Sequence, residues 1–343
     1  MPKILVTGGC GYIGSHTIVV LLERGFDVVC LDNLSNASED ALDGIEQITG
    51  KRLKNHEVDL SDRNALRSFL NNETGIDAVI HFAALKAVGE SVEKPMLYFT
   101  NNVGGMINLL AECSKHGIND FIFSSSCTVY GQPEKLPVTE TSPFLPAESP
   151  YGRTKQIGEY LLKDLAGLEK IRAISLRYFN PAGAHTSAHI GERSIKPALN
   201  LVPIIVEAAS GKRSALTIYG DDYDTRDGTC IRDYIHVMDL AEAHVKALEY
   251  LENNHDVQYD IFNLGTGEGT TVNEAINAFQ KATNINVPYN VGPRRSGDIT
   301  SIYSDNERAE YVLGWKPVRS IDDIMLSAWN WDLTNKNSKN KRM

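Results

Sequence analysis

The apolar run Ile4-Leu-Val6 stops at Thr7 and gives way at once to Gly8-Gly-Cys-Gly11-Tyr-Ile-Gly14, after which residues 12–24 carry a helical pattern. No other stretch limits the possible folds so sharply. The apolar run is that of a strand buried on both faces. The glycines fit a dinucleotide-type loop in either of two registers, Gly9-x-Gly11-x-x-Gly14 or Gly8-x-x-Gly11-x-x-Gly14. Such a loop needs one glycine for a tight turn, one for approach of backbone N–H groups to a pyrophosphate, and one for close packing of helix on strand. The anion then rests on the positive end of the helix dipole. Asp32 closes the next apolar run, 28–31, about twenty residues beyond the loop, where a ribose hydroxyl needs an acceptor.

Further along, short apolar runs at 27–31, 53–58, 78–81, 120–123 and 173–177 alternate with helical spacing at 65–71, 95–116 and 151–168. This order predicts an α/β fold, a Rossmann-type doubly wound parallel sheet, over residues 1–178. From Phe179 the alternation breaks, and 179–335 reads as a smaller C-terminal α+β lobe, mainly substrate-binding and interleaved with the first; 336–343 reads as a flexible tail. The net charge of −10 opposes non-specific nucleic-acid binding, and no apolar run is long enough to span a bilayer. Five scattered cysteines without a Cys-x-x-Cys pair fit a reducing cytoplasm. With the first strand opening the sequence, no signal peptide is expected.

The chemistry gathers at predicted strand ends. The fifth strand leads into Ser124-Ser-Ser126-Cys-Thr-Val-Tyr130-Gly131, and Ser149-Pro-Tyr151-Gly-Arg-Thr-Lys155 follows. Pro150 starts a helix on which Tyr151 and Lys155 share one face. The lysine cation and an oxidised nicotinamide are expected to lower the tyrosine pKa and make it a usable base, with Ser126 holding the substrate hydroxyl. At the fourth strand end, His81-Phe-Ala-Ala-Leu-Lys86 sets small residues where a cofactor lies. Asp59 reads either as an acceptor for an adenine amino group or as part of a helix cap with Ser61 and Asp62. Asn101 and Asn102 sit within an apolar helix, so at least one amide must anchor a loop or a ligand. His185-x-x-x-His189 has metal-ligand spacing but no third ligand nearby, and no metal is expected; His81 and His236 read as structural.

These motifs together resemble the extended short-chain dehydrogenase/reductases, and among them the UDP-hexose 4-epimerases. The resemblance runs from about Lys3 to about Trp331. It is carried by Thr7-Gly-Gly-Cys-Gly-Tyr-Ile-Gly-Ser-His16, Leu31-Asp-Asn-Leu34, His81-Phe-Ala-Ala-Leu-Lys-Ala-Val-Gly-Glu-Ser91 and Ser124-Ser-Ser-Cys-Thr-Val-Tyr-Gly131. Leu176-Arg-Tyr-Phe-Asn-Pro-Ala-Gly-Ala-His185, Arg232-Asp-Tyr-Ile-His-Val-Met-Asp239 and Asn263-Leu-Gly-Thr-Gly267 add to it.

The resemblance implies NAD as cofactor, a UDP-hexose substrate, and epimerisation at C4 through a 4-keto sugar that turns over between hydride removal and return. Tyr151, Lys155 and Ser126 are then the catalytic residues. The cofactor falls to Gly8, Gly11, Tyr12, Ile13, Gly14, Asp32, Asn33, Asp59, Leu60, Phe82, Ala83, Lys86, Asn101, Ser124 and Phe179, with Tyr151 and Lys155. Phe179 and Asn180 are shared with the sugar nucleotide, which also meets Lys86, Ser126 and Tyr151. Asn200, Leu201, Ile218, Tyr219, Arg232, Tyr234, Arg295 and Asp298 hold its uridine and diphosphate, and Ile302 faces the hexose 2-substituent. Isoleucine at that gate leaves 2-acetamido sugars open as alternative substrates. Leu199 departs from a second asparagine common in the family. Sugar-nucleotide dehydratases and decarboxylases need a carboxylate just after Ser126, where this chain has Cys127-Thr-Val129; a non-catalytic NAD-sensing module would typically lack Tyr151 or Lys155. A homodimer through helices 95–116 and 151–168 is the family expectation.

Overall fold

The computed structural model describes residues 1–168, 170–193, 198–295 and 298–341. Seven strands form one wholly parallel sheet in the order Tyr259–Leu264, Arg172–Tyr178, Asp120–Ser126, Ala78–His81, Lys3–Thr7, Asp27–Leu31, Asn55–His56. The chain builds outward from Lys3–Thr7, then returns to its other side with Ala78–His81. The order therefore reverses between those two strands, which is where open parallel sheets bind ligands at their carboxyl ends.

Alternation along each strand supplies two cores. Ile4, Val6, Val28 and Cys30 face the helices Tyr12–Glu23 and Val237–Asn253, while Leu5, Val29 and Leu31 face Arg63–Asn72 and Gly105–Lys115. The last helix of that second layer, Pro150–Gly167, begins at a Ser149 cap whose hydroxyl accepts from the Gly152 N–H at 3.1 Å. Its first residue is Pro150, which has no N–H to leave unpaired there.

Two elements differ from the sequence pattern. The third strand, expected over 53–58, is only Asn55–His56, an edge pairing with Cys30 and Leu31. Asn55 turns its amide inward to donate to the Asp32 carbonyl at 3.0 Å, so the side chain takes over where ladder pairing ends. The helix expected over 95–116 is split into Pro95–Tyr98, a wide π-turn Phe99–Gly104, and Gly105–Lys115. Such widened turns accompany functional sites. Here the turn carries Asn102, whose amide accepts from the Leu85 N–H at 2.9 Å and donates to the Leu85 carbonyl at 3.0 Å. Asn101 donates to Asn102 at 2.9 Å.

The remaining strands Asn180–Ala182, Ile231–His236, Gly269–Thr271 and Ser301–Ile302 make a small mixed sheet, and Leu216–Tyr219 pairs with Tyr289–Gly292. Helices Leu201–Ala209, Val272–Thr283 and Ile321–Lys341 share a third core with them. Tyr259–Leu264 and Val237–Asn253, although late in the sequence, belong to the first sheet and its covering layer. The last helix continues into the stretch that reads as a tail, as far as Lys341. Among the described residues no helix is long and apolar enough to cross a membrane.

Candidate active site

The carboxyl ends of the parallel strands carry or lead into the expected cofactor and catalytic residues. At the first, Gly8 has a φ of +73° that favours glycine, and its carbonyl accepts from the Gly11 N–H at 3.1 Å. A Cβ on Gly14 would stand 2.2 Å from that same carbonyl oxygen. The register Gly8-x-x-Gly11-x-x-Gly14 therefore makes the turn and the close packing. The helix that follows has no side-chain cap on Gly11 and no acidic residue in its first turn, which suits a diphosphate. Asp32 leans back over the loop, one oxygen accepting from the Cys10 N–H at 3.2 Å and the other from Leu34 at 2.9 Å. Burial raises its carboxyl pKa, and these N–H groups with that of Gly11 oppose the rise. Asn33 donates to Asp59 at 3.0 Å, which joins two of the expected adenosine-side residues. The same Asp59 accepts from Ser61, whereas the cap of the next helix is Asp62. Leu60 is buried in the second core.

At the fourth strand end Ala83 lies against Gly8, and the Phe82 ring packs on His244 at 4.6 Å between centroids. Tyr12 donates to the Gly183 carbonyl at 2.6 Å, tying the glycine-loop helix to the second lobe; Ile13 packs on the core beneath it. Lys86 stands 5.9 Å over the Tyr12 ring and pairs with Glu192 at 2.9 Å.

The fifth strand and helix Pro150–Gly167 bring the expected catalytic groups together. Lys155, 4 % exposed, donates to the Ser124 carbonyl at 2.5 Å, and its nitrogen is 5.8 Å from the Tyr151 ring centre. Burial pulls the lysine down to about 7, against the opposing charge of Glu159. Burial pushes the Tyr151 phenol up to about 12, with the Ser126 hydroxyl pulling the other way; the lowered value expected from the sequence includes the charge of an oxidised nicotinamide. Enclosing the pair penalises charge on both partners.

Phe179 and Ile302, 5 % and 3 % exposed, form a small apolar cluster with Cys127, Val129, Tyr130 and Val138. Asn180 lies opposite Tyr234, and Ile302 opposite Arg232, in strand register. Arg232 donates to the Ile231 carbonyl at 2.8 Å. Asn200 precedes the helix that begins at Leu201, and its amide reaches Glu192, the partner of Lys86, at 3.5 Å. Ile218 is buried while the neighbouring Tyr219 is exposed beneath the Arg295 guanidinium, 5.5 Å away; Arg295 pairs with Asp298 at 2.7 Å. Leu199 is 65 % exposed.

His81 binds Thr7 at 2.8 Å and burial lowers it to about 3; His236 caps helix Val237–Asn253. Among the described residues no group of three His, Cys, Asp or Glu side chains could hold a metal, and His185 pairs with Ser187.

Sequence reasoning passed over two buried acids. Asp233 accepts from Thr266, Gly267 and Ser304, joining two connecting segments of the second lobe. Glu159 forms a buried ion pair with Arg177 at 2.6 Å. Its position four residues after Lys155, on the same helical face, was the available signal.

The comparisons agree with this geometry. The family model described as GDP-mannose 4,6 dehydratase matches residues 5–327. The UDP-glucose 4-epimerase of Schizosaccharomyces pombe is 50% identical over 333 residues, 96% of this chain and 93% of that protein. A UDP-glucose 4-epimerase from Bifidobacterium longum, crystallised with NAD+ and UDP, superposes with a TM-score of 0.93 at 44% identity over 98% of this chain and 99% of that one. Another from Stenotrophomonas maltophila, with NAD and formylated UDP-arabinopyranose, gives 0.95 at 43% identity over 98% of this chain and all (100%) of that one. The segment Cys127-Thr-Val129, just after Ser126, carries no carboxylate. With relatives of this identity over nearly its whole length, the chain belongs to the UDP-glucose 4-epimerase family.

Proposed function

We propose that this protein interconverts UDP-galactose and UDP-glucose at C4 with a tightly held NAD. The observation that carries the reading is the meeting of Tyr151, Lys155 and Ser126 at the strand ends beside the glycine loop. When bound, NAD would supply the acceptor and donor of hydride for C4 of the sugar. Gly8, Gly11, Tyr12, Ile13 and Gly14 cradle its diphosphate, Asp32 and Asn33 hold its adenosine ribose, and Asp59 and Leu60 flank adenine. The carboxylate of Asp32 favours a free 2′-hydroxyl over a 2′-phosphate. Phe82, Ala83, Lys86, Asn101, Ser124 and Phe179 complete the cradle.

Tyr151 takes the proton from the 4-hydroxyl and returns it after the keto sugar has turned, while Ser126 aligns that hydroxyl. A phenol raised to about 12 is a poor base alone, so proton removal waits for positive charge brought beside it by bound cofactor and protonated Lys155. Asn180, Asn200, Leu201, Ile218, Tyr219, Arg232, Tyr234, Arg295 and Asp298 hold the UDP. Arginine suits that task because its planar fork pairs with phosphate oxygens. Ile302 closes the side where a 2-acetamido group would need room.

The homodimer is part of the same proposal. Val92, Met96, Leu97, Ile107 and Tyr160 are exposed apolar side chains on neighbouring helices of one layer, which favours a partner there. Five free buried cysteines fit a reducing, cytoplasmic compartment.

The test is turnover of UDP-galactose by purified protein without added cofactor. Tyr151→Phe is expected to lower kcat by about 10²–10⁴ while bound NAD is retained. Turnover close to that of the unsubstituted protein would refute Tyr151 as the base. No conversion by the unsubstituted protein, even with NAD added, would refute the function.

A further inference from the structure

We propose that Glu159 is a positioning residue for the Tyr151–Lys155 pair: it clamps the serine between the two that serve those residues and supplies the counter-charge that keeps the lysine protonated. The inference rests on the 4-epimerase reading above. Tyr151, Lys155 and Glu159 are spaced i, i+4, i+8, so they rise along one face of the helix. Each meets one member of the serine triplet that ends the fifth strand. Tyr151 interacts with the Ser126 hydroxyl, Lys155 donates to the Ser124 carbonyl, and Ser125 donates its hydroxyl to Glu159. Ser125 cannot shift without carrying its neighbours, and with them the carbonyl and hydroxyl on which the catalytic pair depends.

Glu159 is itself held by a fork. Arg177 is the register partner of Ser125 on the next strand and donates Nε at 2.9 Å and Nη2 at 2.6 Å to the two carboxylate oxygens. Its remaining nitrogen donates to Tyr130 at 2.9 Å and to the Glu140 carbonyl at 3.2 Å. Tyr130 donates to Asn263 at 2.6 Å, and Asn263 to the Val138 carbonyl at 3.0 Å. Val138 pairs with the segment just after Ile302 through the Tyr303 carbonyl at 3.1 Å. The network thus links the catalytic helix to the wall of the second lobe.

Both members of the ion pair are 3% exposed. Apolar residues of similar volume would often hold a core at least as well, so stability alone explains such a pair poorly. Placement of charge explains it better. The groups facing Lys155 and Glu159 from the surrounding elements are Tyr151, His81, Arg177, Tyr178, Tyr130 and Tyr259. Burial lowers His81 to about 3 and raises all four tyrosines, so these stay neutral through the working range. Arg177 stays charged, and Glu159 is the group that draws the enclosed lysine back toward its charged form.

Three variants test this. Ser125→Ala removes the clamp and keeps the ion pair, Glu159→Asp keeps the charge and shortens its reach, and Glu159→Gln removes the charge. Turnover of UDP-galactose gives kcat and KM. The titration of Lys155, followed by NMR in ¹³C-lysine-labelled protein and assigned with Lys155→Met, needs no turnover.

Ser125→Ala is expected to lower kcat about tenfold with little change in KM. Glu159→Gln should move the Lys155 titration, and the alkaline limb of the kcat profile, about one pH unit lower, at the small end of what an opposite charge at close range does. Glu159→Asp should leave that titration in place. An unmoved titration in folded Glu159→Gln, or undiminished kcat in Ser125→Ala, would overturn the proposal. If Glu159→Gln does not fold, the other two variants decide: undiminished kcat in Ser125→Ala or a moved titration in Glu159→Asp overturns it, and lowered kcat in the first with an unmoved titration in the second supports it. If the unsubstituted protein fails to turn over UDP-galactose, the functional reading falls, and the Lys155 titration still decides the role of Glu159.

Discussion

Replacing Gly14 by alanine sets two physical effects against each other, and the structure predicts which one wins. Gly14 lies in the first turn of helix Tyr12–Glu23, and helix propensity alone favours alanine over glycine by about 1 kcal/mol. The contacts point the other way. The added Cβ would stand 2.2 Å from the Gly8 carbonyl oxygen, 2.9 Å from the Gly9 Cα and 3.0 Å from the Gly8 carbonyl carbon. These atoms are backbone, so no flexible side-chain end can yield. The Gly8 peptide is also pinned, donating to the Leu31 carbonyl at 2.7 Å and accepting from the Gly11 N–H at 3.1 Å. Helix and loop must part by about 1 Å to restore contact distance. Overpacking of this kind costs about 1–3 kcal/mol. The backbone clash puts Gly14→Ala at the upper end, so after the propensity gain the net loss is about 2 kcal/mol. The same displacement pulls the loop N–H groups off a diphosphate, and a loss of about 1.4 kcal/mol there already weakens cofactor binding tenfold. The assay is thermal unfolding together with NAD content after purification. A lower midpoint and at least tenfold less bound NAD are expected. Gly167→Ala is the control: Gly167 ends a helix with no atom within 4 Å of its added Cβ, and should be neutral or slightly stabilising. Full NAD content and an undiminished midpoint in Gly14→Ala would refute the reasoning.

Lys155 makes stability depend on pH in a definite direction. Its folded pKa of about 7 lies below the usual 10.5, so the burial penalty is full below pH 7, shrinks as the folded form sheds its proton, and vanishes above about 10.5. Cofactor-free protein should gain stability with rising pH across that window, and Lys155→Met should unfold several degrees higher than the unsubstituted protein at pH 6 but without turnover. At about 1.4 kcal/mol per pKa unit the effect is a few kcal/mol; equal midpoints at pH 6 would refute it. Ile302→Ala should cost about 2–5 kcal/mol in stability by emptying the cluster around Phe179. In a competition assay it should also raise turnover of UDP-N-acetylgalactosamine relative to UDP-galactose, and an unchanged ratio would remove Ile302 from specificity.

The strand ends and their chemistry were legible wherever the signal is local. A buried parallel strand is apolar along its length, so 4–6 and 28–31 stand out; a phosphate turn must be glycine-rich; and Tyr151 and Lys155 share a face because a helix repeats every 3.6 residues. The same short-range rules set Asp32 at the end of the second strand and required an anchor of Asn101 or Asn102; that Asp32 leans over the loop and that Asn102 is the anchor are findings of the structure. Other features depend on segments far apart in sequence. The length of the third strand depends on its having a neighbour on one side only, and the widened turn at Phe99–Gly104 goes with the pairing of Asn102 to Leu85. The register that sets Ser125, Arg177 and Asn263 side by side joins three strands, and no spacing along the chain announces it. The upward push of burial on the Tyr151 pKa escapes the sequence for the same reason. Proximity to Lys155 can be read from four residues, but desolvation is the sum of everything that encloses the pair, and only the folded chain supplies that sum.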